Sequence, residues 1–76
     1  MTKKALAKLT DKQRRTLEIY KTNYIEARDN TERDIEYRHE LLASYRSAIS
    51  GYLTALTDTE ILTQAQARLI YTYATL

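Results

Sequence analysis

Glu36-x-x-His39 is the pair in this chain whose residue types and spacing best suit a metal ion. A carboxylate and an imidazole three residues apart on a helix share a face. Carboxylate-bridged di-iron bundles place such a pair on two helices and take Glu side chains from two others. A homodimer would supply two pairs, with Glu18, Glu26, Glu32 or Glu40 as further ligands. The pair sits in the most charged part of a Glu-rich segment, where a solvated His is the plainer expectation, so no metal and no other cofactor is expected. Inside the helical stripe described below, His39 would instead add charge to an interface near neutral pH. Nucleophilic catalysis has little footing. There is no Cys, and a single His would have to serve Ser44, Ser47 or Ser50 as base without a G-x-S-x-G elbow. Gly51 is the sole glycine, so no glycine-rich loop can cradle a phosphate. The chain is expected not to be an enzyme.

Two other groups of side chains suit binding. Residues 1–21 hold seven of the twelve basic side chains (Lys3, Lys4, Lys8, Lys12, Arg14, Arg15 and Lys21) against Asp11 and Glu18, while the remainder is net acidic. Such an arm fits nucleic acid or another anionic surface, or a solvated terminus. On a helix beginning at Thr10, Arg14, Lys21 and Arg28 recur every seven residues beside the apolar stripe, as a phosphate-contacting face requires. The second group is seven Tyr with no Phe or Trp. Tyr20, Tyr24, Tyr45 and Tyr52 can bury their rings while each hydroxyl reaches water or a partner, which suits a thin core or a protein interface. Base stacking on Tyr71 and Tyr73 is a lesser option.

The elements that must carry these groups are helical. Pro is absent, and Ala, Leu, Glu, Lys, Arg and Gln abound. Leu17, Tyr20, Tyr24, Ala27, Thr31, Ile35, Arg38, Leu42, Tyr45, Ile49, Tyr52 and Leu56 follow one another in steps of three or four. This stripe is apolar at both ends and polar in the middle, at RDNTERD (28–34). A long central helix results, either continuous or bent near Asn30 into a hairpin. The unbroken phase favours continuity, as do the acid-first pairs Asp29/Arg33 and Asp34/Arg38. The bent reading makes Thr31 the cap of a second helix. Thr10-x-x-Gln13 is a capping box that starts the first firm helix. Residues 1–9 form a basic arm, frayed or loosely helical, with Leu6 and Leu9 as docking points. Of two further boxes, Thr57-x-x-Glu60 and Thr63-x-x-Gln66, the second is preferred for a short C-terminal helix because Leu62 precedes it as a staple. Leu62-Thr63-x-x-Gln66 echoes Leu9-Thr10-x-x-Gln13, as two independent helix starts would.

One all-α domain spanning 1–76 is expected. A chain this short buries only about 60% of its unfolded surface, so self-association into a helical bundle, or association with another protein, is the expected remedy. Leu17, Tyr20, Tyr24, Leu42, Tyr45, Ile49 and Tyr52 are the expected protein interface. MTKKALAKL lacks the apolar run of a secretory signal, and no stretch approaches a membrane span. The expected location is therefore the cytoplasm, with no membrane partner.

LTDKQRRTLEIY (9–20) looks like the opening helix of many winged-helix regulators, but no recognition helix with a short turn and no β-wing follow. GYLTALTDTEILTQAQARLIYTY (51–73) resembles the end of short helical accessory proteins of bacteriophages and integrative elements, where a helix closes as G-Y-L-x-A-L and a short Thr-capped helix follows. Thr59-Glu60 departs from that pattern, which carries a turn Gly there. The resemblance implies a mobile-element accessory protein and assigns no site residues. The expected function is a small regulator or inhibitor contacting another protein, such as a host enzyme or defence component. The alternative is a nucleic-acid-binding accessory factor using the basic N-terminal third.

Overall fold

The computed structural model describes residues 2–30, 32 and 34–76; the stripe position and alternative cap at Thr31, and the Asp29/Arg33 pair, lie outside the described residues. Four helices follow in order: α1 (Thr2–Ala7), α2 (Asp11–Asp29), α3 (Ile35–Asp58) and α4 (Gln64–Thr75). The chain folds into a body of 39 × 20 × 18 Å.

The central helix is not continuous. Asn30 ends α2 at φ −83°, ψ 97°, and its side-chain oxygen accepts from the Glu32 N–H at 3.1 Å. Asp34 then caps α3 by accepting from the Glu36 N–H at 3.4 Å. Asn and Asp side chains compete with the helical ladder for backbone donors, which favours a break where two lie close together. Arg38, expected to pair with Asp34 in a continuous helix, donates instead to the Asn30 carbonyl at 3.2 Å. The gain from folding back is burial: both apolar ends of the stripe face each other within one chain. Tyr20 and Tyr52 meet edge to face with centroids 5.7 Å apart, and the Tyr52 hydroxyl donates to the Gln13 carbonyl at 3.5 Å.

The starts of α2 and α4 are those the sequence predicts, whereas α3 takes Asp34 as its cap. Thr10 and Thr63 each form a complete capping box, with Gln13 and Gln66 as the third helical residues. Leu9 and Leu62, the residues before the caps, are each 3% exposed. A tyrosine stands ten residues after each cap, and the two take different roles, Tyr20 against Tyr52 and Tyr73 against Glu18 and Lys21. Between the caps, Thr57-x-x-Glu60 does not start a helix. It is the last turn and exit of α3, closed by Glu60 N–H to the Thr57 carbonyl and Ile61 N–H to the Leu56 carbonyl, both 3.0 Å. That pair of bonds is a Schellman motif, which requires a left-handed residue after the cap. Glu60 takes it, at φ 62°, in the place where the resemblance anticipates a glycine.

The N-terminal arm is helical from Thr2 to Ala7 and docked: Ala5 is fully buried, and Leu6 and Leu9 pack on the core. α4 runs beside α2 in the same direction, since Gln66 meets Lys8, Tyr73 meets Glu18 and Lys21, and Leu76 meets Arg28. Leu17, Ile49 and Ile70, one from each long helix and α4, are the largest fully buried side chains.

Candidate interaction surfaces

The side chains expected at a protein interface are mostly spent inside the molecule. Leu17 and Ile49 have no exposed surface and Tyr24 keeps 7%, while Tyr20, Leu42, Tyr45 and Tyr52 are half-buried against the same core. What the stripe leaves outside lies at one end. Ile35, Leu42, Ile49 and Leu56 stand seven residues apart on one line of α3. Ile49 and Leu56 are 0% and 5% exposed, Leu42 is half-buried, and Ile35 is 57% exposed. The cause is length. α4 has 12 residues and α3 has 24, so α4 covers only part of that line and stops at Leu76, itself 76% exposed. Tyr37, at 52%, is a further large exposed side chain in the first turn of α3.

The seven-residue row of cations on α2 is not a free phosphate-contacting face. Arg14 pairs with Asp11 and donates to the Leu6 carbonyl at the end of α1 (3.4 Å). Lys21 donates to the Tyr73 hydroxyl at 2.9 Å, lies 4.1 Å from that ring's centre and faces Glu18 at 3.8 Å. The Tyr73 hydroxyl in turn donates a hydrogen bond to Glu18 Oε1 at 2.6 Å. Arg28 pairs with Asp29 and donates to the Leu76 carbonyl. The row fastens α1 and α4 to α2. The Lys21 ammonium is accordingly held above its ordinary pKa, chiefly by the hydrogen bond to Tyr73 and opposed by partial burial.

The other expected cations behave differently. Lys3, Lys4, Lys12 and Arg15 are exposed, with no ionic partner among the described residues, and Lys8 is exposed with its ammonium on neutral Gln66 Oε1 at 2.9 Å. Glu36 and His39 are both exposed on the first turns of α3, outside the core. Among the described residues no group of three or more His, Cys, Asp or Glu side chains gathers as a metal site would require.

An open groove of about 540 Å³ runs between α3 and α4, walled by Ser50, Thr54, Asp58, Arg68 and Tyr71 over a floor of Leu53. Sequence reasoning misses it because its walls come from two elements whose relative placement no local pattern encodes. Ile35 was within reach of that reasoning as a stripe residue, but its exposure follows only from where α4 ends.

Comparison with protein-family models, with curated proteins and with solved structures gives no match. Among the described residues no helix is long and apolar enough to cross a membrane.

Proposed function

We propose that this chain is a small, non-enzymatic helical binding protein that acts by contacting another protein through the uncovered end of its α2–α3 hairpin. The reading rests on the line Ile35–Leu42–Ile49–Leu56, whose burial falls from complete beneath α4 to 57% exposed at Ile35 beyond it. A helix laid in line with α4 would continue the packing already present, the helix-in-groove mode in which anchors recur at three, four and seven residues. A second copy of the chain and a different protein are both occupants of this kind. The C-terminal resemblance supports a phage or mobile-element regulator or inhibitor, acting in the cytoplasm of the host on an enzyme or defence component.

The test compares wild type with Ile35→Asp by solution mass and by capture from host extract. Ile35 lies outside the core, so helix content is expected to persist, while partner or self-association weakens by about 2 kcal/mol as at an interface anchor. Association that is unchanged by Ile35→Asp would place the contact elsewhere.

A further inference from the structure

We infer that α1 and the first turns of α2 form a second, independent surface that grips the phosphate backbone of nucleic acid without reading bases. Five exposed cationic side chains carry it: Lys3 and Lys4 on α1, Lys8 in the turn that follows, and Lys12 and Arg15 on the first turns of α2. The structure divides the basic residues of the N-terminal third into two sets. Arg14 and Lys21 are engaged as fasteners, and the acids among them are engaged too, Asp11 by Arg14 and Glu18 by Tyr73 and Lys21. The five others keep their charge available for an outside anion. Phosphate contacts need only exposed, mobile cations, and such contacts supply essentially all of non-specific binding.

A lipid surface is the poorer fit. An interfacial helix must turn an apolar face outward into the headgroup boundary. The apolar residues of this arm point the other way, with Ala5 at 0% exposure, Leu9 at 3% and Leu6 packed on the core. Base readout is also unsupported, because α1 has six residues, too few to lie along a groove, and buries Ala5 against the core.

Fluorescence anisotropy with labelled duplex DNA and duplex RNA at about 50 to 200 mM salt tests the surface. Five phosphate contacts predict that log K falls against log salt with a slope of about −4.5 on DNA. Lys12→Ala with Arg15→Ala should bring the slope toward about −2.7, while Arg46→Ala, an exposed cation on α3, should leave it unchanged. Circular dichroism verifies that these exposed substitutions keep the fold. Binding to either duplex with that response supports the inference, and the tighter of the two names the source of the phosphate. Absence of binding to both at the lowest salt, a slope indifferent to the Lys12/Arg15 change, or preference for phosphatidylglycerol vesicles would overturn it. The hairpin-tip reading is separable, since Ile35→Asp should not alter the salt slope.

Discussion

At the end of the molecule where α2 and α4 begin, Leu9, Leu53, Leu56 and Leu62 are between 3% and 5% exposed; at the tip of the hairpin Ile35 is 57% exposed. The first end has two complete capping boxes, a Schellman exit and α1 folded over it. The tip has an Asn30 side chain, an Asp34 cap and no third helix. Leu56 at one end and Ile35 at the other belong to one apolar stripe, so hydrophobicity does not separate them. Coverage does: the same residue types act as core where a third helix lies over them and as surface where it stops.

That contrast can be broken by substitution. Ile70→Ala, in the fully buried contact of α4, should cost about 3 kcal/mol in denaturant unfolding, whereas Ile35→Ala should cost less than about 0.5 kcal/mol. Equal losses would mean that the tip is packed as firmly as the capped end. Next in size, Thr63→Ala removes the N-cap of the helix that distinguishes the two ends and should cost about 1 kcal/mol. Native-state hydrogen exchange should then show faster opening of α4 amides, with the α2–α3 pair less affected.

Two changes at the covered end of α3 should stabilise. Glu60→Gly relieves the left-handed backbone and is expected to add about 1 kcal/mol. Gly51→Ala, where an added Cβ meets open space inside a helix, should add about 0.5 to 1 kcal/mol. Thermal melts check both, and a loss at Gly51 would show that this exposed face needs the bare backbone. The smallest effect concerns the fastener between α2 and α4. Because the folded pKa of Lys21 is raised, its contribution is complete below the ordinary value of 10.5 and is lost as pH rises through the higher folded value. Lys21→Gln should therefore lower stability near neutral pH by less than about 0.5 kcal/mol, solvent screening included, and converge with wild type in strong alkali. A gap that persists there would assign the effect to packing of the lysine stem.

Local chemistry was the legible part. Thr10/Gln13 and Thr63/Gln66 are boxes whose partners lie three residues apart, and the Leu before each cap is buried in the core. The break at Asn30 was legible only as an alternative, because three-four periodicity records which residues are apolar and is blind to whether they face a partner chain or each other. The row Arg14, Lys21, Arg28 was legible as a row and misleading as a surface, since Tyr73 and Leu76, which occupy two of its positions, lie 52 and 48 residues away.

Helix content, the two Thr-capped helix starts and the apolar stripe follow from the residues alone, because propensity, capping and periodicity act over at most a few residues of chain. Direction and coverage required the fold. Whether the stripe closes on itself, which cations become fasteners and how far α4 reaches along α3 depend on contacts between residues far apart in the chain, with hydrogen bonds that span up to 58 positions, as in Lys8 and Gln66. The entropy of closing such loops is recovered only when all the helices pack together.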